Sequence, residues 1–313
     1  MEATTTEGER EATSAEDTSV FSLDVIMPYH GDPELLMRAV ASVRALIGVN
    51  WRLTIVEDAH RDGETTEKRI SELGDDRICY LRNETNLGVA GNTYRCLQMA
   101  ELEYFVLMDY DDMMLPNYGL AVASLFRRHP EAVIAQPGIQ IIDENDRPYL
   151  PLPDRVKAHA GPVNTDTELS GEAAVASVLR GNWTYGPSLC YRLGPTRALR
   201  PRPDTDAVHD MARIVDLLCQ GGSLAVGAEV AFQYRRHRTS HSSVGAREGA
   251  RFQQEQRYFE LMSAELAKTG WKQASRAASM RLYSRLNAAA QLVSAARRRD
   301  RALIKALLWH AIR

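Results

Sequence analysis

The chain has 313 residues, 44% of them hydrophobic and 25% charged, which is an ordinary balance for a globular protein with a sizeable core. Its formal net charge of −3 gives no reason to expect nucleic acid as a partner. The four cysteines stand too far apart to indicate a zinc site or a disulfide framework, so we interpret them as free thiols in a reducing cytoplasm: Cys79, Cys96, Cys190 and Cys219.

The first 19 residues carry six acids and one arginine among Thr, Ser, Ala and Gly, without an apolar core. We therefore expect a disordered acidic tail over 1–19 and no signal peptide. No stretch of the chain approaches the roughly 18 consecutive apolar residues of a membrane span. No transmembrane helix is predicted.

From residue 22 onward, short apolar segments alternate with segments whose apolar residues recur at helical spacing. Strands are predicted over 22–27, 52–56, 78–81, 104–108 and 132–136. Helices are predicted from Pro33, which follows the capping residue Asp32, and over about 89–100 and 117–129. This alternation implies right-handed crossovers and a largely parallel sheet.

The second half of the chain is harder to interpret because residues 147–203 are rich in Pro and Gly. A helix is predicted over 167–181 within that region. A second helix over 206–222 and a strand over 225–237 follow it. From about residue 246 the chain is predicted to be helical, and it carries 14 Lys or Arg against five Asp or Glu.

Polar side chains cluster where the predicted strands end. His30 follows the first strand, Glu57-Asp58 the second, and the acidic turn 109–112 the fourth. In open α/β sheets, ligands bind beyond the carboxyl ends of the strands. One cleft could therefore hold all three groups.

The acidic turn Asp109-Tyr110-Asp111-Asp112 presents hard oxygen ligands of the kind that Mg²⁺ or Mn²⁺ prefers. Such an ion would offset the repulsion between three neighbouring carboxylates, and it would usually bind substrate phosphates as well. The alternatives are a solvated acidic turn or carboxylates that cap the following helix. The turn alone does not decide between them.

Three further groups have both a chemical and a plain structural interpretation. Glu57-Asp58 could accept hydrogen bonds from a base or ribose, or could cap a turn. Asp210, next to His209 on a predicted helix, could act as a general base or could be a surface acid. The stretch "YRRHRTSHSS" (234–243) could bind phosphate or complete a metal site, or could be a basic surface loop.

Taken in this order, these elements resemble the family 2 glycosyltransferases, whose nucleotide-sugar-binding domain has the GT-A fold. The resemblance covers roughly 22–243, about 70% of the chain. It rests on six segments that match family motifs in register: "DVIMPYHGDPELLMRAVASV", "LTIVEDAHRDGE", "NETNLGVAGNTYR", "LMDYDDMMLP", "HDMARIVDLLCQGG" and "YRRHRTS".

The resemblance implies an α/β, Rossmann-like GT-A fold with a mostly parallel central sheet flanked by helices. The GT-A domain would span 20–245, with a nucleotide-binding half over about 20–146 and an acceptor half over about 147–245. Residues 246–313 would form a helical C-terminal segment. The implied activity is inverting transfer of a sugar from a nucleoside diphosphate sugar, most often UDP-linked, to an acceptor hydroxyl.

Matching residues imply specific roles. Asp58 matches the acid that binds the nucleotide base, Asp109 the acid near ribose and metal, and Asp111 the ligand of Mn²⁺ or Mg²⁺. Asp112 matches a third acid whose role is less fixed. Asp210 matches the catalytic base of inverting members.

The remaining implied contacts surround the donor. His237 matches a histidine that ligates the metal or contacts the diphosphate in some relatives, and Arg235 would touch phosphate. The other implied donor-binding residues are Pro28, Tyr29, His30, Asn86 and Tyr110.

The chain departs from the family pattern at several positions. His30 stands where the family usually has Tyr, so base stacking would use this imidazole or the neighbouring Tyr29. His209 replaces the Glu that precedes the base, which would alter how the acceptor is held. Trp183 and Tyr185 could stack on the acceptor, or could equally pack in the core.

Two rival functions remain open from the sequence. A nucleotidyltransferase would need a basic Gly-rich loop after the first strand, where this chain has the acidic "PYHGDPE". A sugar-nucleotide or glycan-binding module without transfer activity should lack a base, whereas Asp210 is present. The acceptor could be a glycan, a lipid-linked compound or a small molecule, as in cell-surface polysaccharide or natural-product glycosylation.

The last 17 residues form a basic amphipathic pattern. One helical face would hold Leu303, Ile304, Leu307, Leu308 and Ile312, with Trp309 beside it. This face could pack on the domain or on a second subunit as a homo-oligomer, or could lie on an anionic membrane. We expect a cytoplasmic location, with peripheral contact at the inner face of the membrane as the open alternative.

Overall fold

In a computed structural model, the residues described are 20–199, 202, 208–236, 250–298, 303–305 and 307–308. The tail predicted over 1–19 lies outside them, as does most of the basic stretch that begins at Tyr234.

The described chain is a mixed α/β fold with one central sheet flanked by helices. Its strands are β1 (Ser22–Tyr29), β2 (Asn50–Glu57), β3 (Ile78–Arg82), β4 (Tyr104–Leu107), β5 (Met113–Met114), β6 (Ala132–Ile142), β7 (Thr167–Ser170), β8 (Cys190–Arg192) and β9 (Ser223–Arg235). The helices of the first 200 residues are α1 (Pro33–Arg44), α2 (Gly63–Ser71), α3 (Gly88–Met99), α4 (Tyr118–Arg128), α5 (Leu152–Ala160), α6 (Gly171–Arg180) and α7 (Leu193–Arg197). The later helices are α8 (His209–Cys219), α9 (Ala250–Lys268), α10 (Lys272–Met280) and α11 (Leu282–Arg298).

The strand order is β3-β2-β1-β4-β8-β6-β9-β5, and β7 pairs with β9 beside this path. Strands β1 to β4 run parallel, as expected, and so do β6 and β9. Strands β5, β7 and β8 run antiparallel to their partners. These three strands have two to four residues each, too few to show an alternating pattern in the sequence.

Helix α1 forms where its start signals predict. The side chain of Asp32 accepts a hydrogen bond from the backbone N of Glu34 at 2.9 Å, and Pro33 occupies the first turn. One face of α1, including Leu36 and Val40, is buried against the sheet. The chain between β1 and α1 is thereby fixed at the carboxyl edge of the sheet.

The C-terminal helices belong to the main hydrophobic core. Tyr258, Phe259 and Met262 of α9 and Ala278 of α10 are buried in the same cluster as Val215 of α8. Burying each large apolar side chain contributes about 1.5–3 kcal/mol. Helices α9 and α10 therefore stabilise the helix that begins at His209.

Two residues of the apolar pattern near the C-terminus pack inside the protein, whereas Leu308 of the same pattern is exposed. Leu303 and Leu307 are buried against Ala288 and Ala295 of α11. Trp309 and Ile312 lie outside the described residues. Among the helices described, none is both long and apolar enough to cross a membrane.

Candidate active site

The acidic turn lies directly after β4, at the carboxyl edge of the parallel strands. Asp109, Asp111 and Asp112 each offer a carboxylate oxygen, and these oxygens lie within 4.8 Å of one another. Asp109 is exposed, Asp111 is partly buried and Asp112 is buried. Three acids in this arrangement match the spacing expected of a divalent cation site.

Asp112 has an unpaired oxygen at the base of this cluster. Its Oδ1 accepts a hydrogen bond from the backbone N of Arg235 at 2.7 Å, whereas Oδ2 is buried without a hydrogen-bond partner within the described residues. Burial, followed by repulsion from Asp111 and Asp109, raises the pKa of Asp112 well above its usual range, although Arg235 opposes this. A cation would supply the missing partner, so these residues fit a Mg²⁺ or Mn²⁺ ion.

Arg235 holds the acidic turn from beneath. Its side chain is 1% exposed, its Nε donates to the carbonyl of Asp111 at 2.7 Å, and its Nη1 donates to the carbonyl of Asp143 at 2.9 Å. Nη1 also pairs with Asp146 at 2.5 Å. The guanidinium is therefore buried behind the turn and positions it, rather than being exposed for the phosphate contact that the resemblance implies.

We expect Arg235→Met to lower the free energy of unfolding by about 3–5 kcal/mol, because the change leaves buried acceptors unpaired. Urea denaturation would measure this loss. Arg38→Met is the matched control, since Arg38 also pairs with Asp146 at 3.2 Å but is half exposed. That control should change stability by less than about 1 kcal/mol. Equal losses in both variants would contradict the anchoring role of Arg235.

Asp58 is held rigidly at the end of β2. Its Oδ1 accepts hydrogen bonds from Asn83 Nδ2 at 2.7 Å and from the backbone N of Leu87 at 2.8 Å. Its carbonyl accepts from His30 Nδ1 at 2.9 Å and from Asn86 Nδ2 at 3.1 Å. Asp58, His30 and Asn86, which the sequence placed at the donor site, are thus joined by direct contacts.

The aromatic residues near this end of the sheet differ in their access to a ligand. Tyr29 is completely buried, its hydroxyl donates to the Gly31 carbonyl at 3.1 Å, and its ring meets the edge of Tyr110 at 5.4 Å. Stacking of a base on Tyr29, one of the two expected options, is therefore ruled out in this arrangement. His30 is partly exposed and packs at 5.0 Å against the ring of His60. Pro28, by contrast, is partly buried within β1.

Asp210 lies in the first turn of α8, between His209 and Arg213. Its Oδ1 is 3.2 Å from His209 Nε2 and 3.3 Å from Arg213 Nη1. Burial alone would raise the pKa of Asp210, but His209 and Arg213 together hold the pKa well below its usual value. Asp210 is therefore ionised, which is the form that a general base requires, but the lowered pKa also weakens its carboxylate as a proton acceptor.

Asp210 and the acidic turn act on each other electrostatically. Desolvation, and then repulsion from Asp111 and Asp210, raise the pKa of Asp109 above its usual range, while His209 lowers it. Because Asp109 is exposed, repulsion by the neighbouring carboxylates explains its raised pKa better than desolvation does. The carboxylates at the end of β4 and at the start of α8 are thus close enough to interact electrostatically.

The two aromatic residues assigned to the acceptor pack in the core. Trp183 is fully buried, and its Nε1 donates to Ser177 Oγ at 3.1 Å. Tyr185 is 3% exposed, and its hydroxyl bonds to Asp154 Oδ1 at 3.1 Å. Neither ring offers a face to an acceptor, so the packing alternative applies to both. His237 lies outside the described residues.

Sequence reasoning missed several residues that organise this site. Arg213 stands three residues after Asp210, at a spacing that brings side chains together on a helix, so it could have been noticed. Gly186 lies against the Asp210 carboxylate, and a Cβ there would be 2.7 Å from Oδ2. Asn83 and Asp154 had no local signal, because Asn83 reaches Asp58 and Asp154 reaches Tyr185 across 25 and 31 residues of the chain.

The sequence of this chain is similar to those of known proteins. The sequence model described as Glycosyl transferase family 2 matches residues 24–182, just over half of the chain. Over 112 residues the chain is 29% identical to WcaA of Escherichia coli (strain K12), whose name assigns it provisionally to colanic acid biosynthesis as a glycosyl transferase. That alignment covers 36% of this chain and 39% of WcaA, so the chain spans about two fifths of that relative.

Solved structures share the fold at low sequence identity. TarS 1–349 of S. aureus has a TM-score of 0.62 at 13% identity, covering 84% of this chain and 72% of TarS 1–349. Its complex with UDP-GlcNAc has a TM-score of 0.54 at 13% identity, with 92% and 90% covered. The mannosyltransferase PcManGT of Pyrobaculum calidifontis, solved with GDP-Man and Mn²⁺, has a TM-score of 0.57 at 16% identity, with 89% and 76% covered.

Proposed function

This chain belongs to glycosyl transferase family 2, and we propose that it is an inverting enzyme that moves a sugar from a UDP-linked donor to an acceptor hydroxyl with the help of a divalent cation. The observation that carries the proposal is a cluster of three carboxylates at the end of β4 that interacts electrostatically with an ionised Asp210. A general base and a cation site are the two devices that such a transfer needs.

The donor would bind across the ends of β1, β2 and β4. Asp58 accepts two hydrogen bonds at its carboxylate Oδ1 and two at its backbone carbonyl, and the carboxylate held in this way would accept from the N–H groups of a nucleotide base. TarS has been solved with UDP and with UDP-GlcNAc, and PcManGT with GDP-Man. These complexes support a nucleoside diphosphate sugar as the donor class, and we choose UDP on the resemblance of the donor motifs.

The acidic turn would hold the cation. Asp109, Asp111 and the unpaired Oδ2 of Asp112 would be its protein ligands, and Mn²⁺ or Mg²⁺ bound there would offset the charge that develops on the departing diphosphate. Arg235 would keep the turn in place, because its Nε donates to the backbone carbonyl of Asp111 and its backbone N donates to the carboxylate Oδ1 of Asp112.

The acceptor hydroxyl would attack the anomeric carbon from the face opposite the diphosphate. Asp210 would take the hydroxyl proton as the new carbon–oxygen bond forms and the bond from sugar to phosphate breaks. The configuration at the anomeric carbon would thereby be inverted, and the proton would remain on Asp210 until solvent removes it. His209 and Arg213 would keep Asp210 ionised between turnovers.

Gly186→Ala should impair transfer without weakening donor binding, because the added Cβ would displace the Asp210 carboxylate. A misplaced catalytic group can lower the rate by about 100-fold. Steady-state kinetics and UDP calorimetry would measure the two effects separately. Gly194→Ala is the matched control, since no atom lies within 4 Å of a Cβ at that position. Unchanged kinetics in Gly186→Ala would argue against Asp210 as the base.

Arg213→Met should make transfer more sensitive to acid. Arg213 helps to lower the pKa of Asp210, so its loss raises that pKa toward the ordinary value, and the base becomes protonated at a higher pH. The acidic limb of the kcat profile should therefore move to higher pH, while the rate near neutral pH changes less. A profile with the wild-type midpoint would show that Arg213 does not act on the titrating group.

A panel of nucleotide sugars tests the proposal as a whole. In the presence of Mn²⁺, UDP-sugars should raise the melting temperature, because a ligand at 100 times its Kd stabilises the folded state by about 2.7 kcal/mol. Release of UDP should accompany binding of the correct donor. Stabilisation by GDP-sugars alone would refute the UDP assignment. Binding without release or transfer, with every acceptor offered, would instead favour a binding module.

A further inference from the structure

The C-terminal helices line a cavity that is open to solvent and separate from the site described above. It lies between α9 and α10 and has a volume of about 400 Å³. Small side chains on facing helices leave this space: Ser263, Ala264 and Ala267 on α9, and Ser275, Ala278 and Ser279 on α10. The α9 residues recur at the three- and four-residue spacing of one helical face.

Arg281, at the junction of α10 and α11, also lines this cavity. It is 4% exposed and has a left-handed backbone with φ of +46°, an unusual conformation for a residue other than Gly. Its Nη1 is buried without a hydrogen-bond partner, and no carboxylate of the described residues forms an ion pair with it. Burial lowers the pKa of Arg281. A buried donor of this kind needs an acceptor, since leaving it unpaired is costly.

The other polar groups of the cavity already have partners. The Oγ of Ser275 donates to the carbonyl of Ser263 at 2.8 Å, and the Oγ of Ser279 donates to that of Arg276 at 2.9 Å. Glu260 is exposed at the cavity and accepts from Gln256 Nε2 at 2.8 Å. Among the residues that line the cavity, Arg281 is therefore the one whose side chain can still donate a hydrogen bond. It lies in the stretch 250–298, which has nine Lys or Arg and three acids.

We propose that this cavity binds an oxyanion of the phosphate class, with Arg281 as its main donor. A guanidinium matches the geometry of phosphate oxygens, and the surplus of positive charge over 250–298 favours an anion despite the nearby acids Glu255 and Glu260. The phosphate could be free in solution or could belong to a lipid head group, since the exposed apolar residues Met280 and Leu282 flank Arg281 in the sequence. The proposal does not depend on the glycosyltransferase function.

Thermal unfolding of the full chain in sodium phosphate, compared with sodium chloride of equal ionic strength, tests the site. Phosphate at several times its Kd should raise the melting temperature by about 2–4 °C. Arg281→Gln should abolish the gain. Arg276 is an exposed residue on α10, so the matched control Arg276→Gln should retain the rise in melting temperature. Glu260→Gln should enlarge that rise, because it removes a charge that repels the anion. An equal gain in wild type and Arg281→Gln would place the phosphate elsewhere and overturn the proposal.

Hydrogen–deuterium exchange of the wild type covers the case in which Arg281→Gln fails to fold. Phosphate should slow exchange over 260–281, and unchanged exchange there would overturn the proposal. Sedimentation with phosphatidylglycerol vesicles, against phosphatidylcholine vesicles, separates the two sources. Pelleting that requires Arg281 but not Arg276 would assign a head-group phosphate. Protection by inorganic phosphate without pelleting would assign a soluble one.

Discussion

Asp210→Asn is expected to lower the rate of sugar transfer by about 100- to 10,000-fold while leaving the affinity for UDP unchanged. Asn has the size of Asp and can still accept the hydrogen bond that Arg213 donates at 3.3 Å, so the first turn of α8 should keep its shape. It cannot take a proton from the acceptor hydroxyl. Only the step that requires a base should therefore be lost.

The measurement combines transfer assays, with the donor that the nucleotide-sugar panel identifies, and calorimetry of UDP binding in Mn²⁺. Asp76→Asn removes the same charge at an exposed position and should change neither quantity. Near-normal transfer by Asp210→Asn would remove Asp210 from the mechanism. Loss of both transfer and UDP binding would assign it to the donor site instead.

The elements that carry the site could be predicted because their signals are local. Apolar runs predicted β1, β2 and β4, helical spacing predicted α1 and α8, and the acids at the strand ends followed from chain order alone. The parallel arrangement of β1 to β4 then brought Asp58 and the acidic turn to one edge of the sheet. Family resemblance added Asp210, which its spacing in the sequence would not have selected.

The failures concern residues whose roles depend on distant partners. Arg235 looked like a phosphate ligand in a basic stretch, but its contacts reach Asp111 and Asp143, 124 and 92 residues away. For Trp183 and Tyr185, stacking on the acceptor and packing in the core stayed equally open, because a sequence does not reveal which face of an aromatic ring is covered. Gly161 covers Trp183 so closely that a Cβ there would lie 2.2 Å from the ring. Tertiary contacts of this kind have no periodic signature.

Asp112→Asn should separate metal binding from stability. In the metal-free protein, Asn would keep the Oδ1 acceptor for the backbone N of Arg235 and would remove one of three crowded charges, so stability should stay equal or increase. The variant would lose an anionic ligand, so the stabilisation that Mn²⁺ gives the wild type should fall sharply. Asp111→Ala should likewise lose metal-dependent UDP binding.

The pH dependence of the metal-free wild type gives an independent check on this prediction. Burial and neighbouring charges raise the pKa of Asp112 and Asp109 in the folded state, so the folded protein binds more protons than the unfolded chain. The stability that these two carboxyl groups contribute is therefore fully present at pH values below the carboxyl pKa of the unfolded chain. It declines as the pH rises through the raised pKa values of the folded protein. Mn²⁺ should reverse that decline, since it replaces the protons.

Thermal unfolding with EDTA and with Mn²⁺ across this range of pH, for wild type, Asp112→Asn and Asp76→Asn, would measure the effect. If Asp112→Asn kept the full Mn²⁺ shift of the wild type, the cation would not bind at the acidic turn through Asp112.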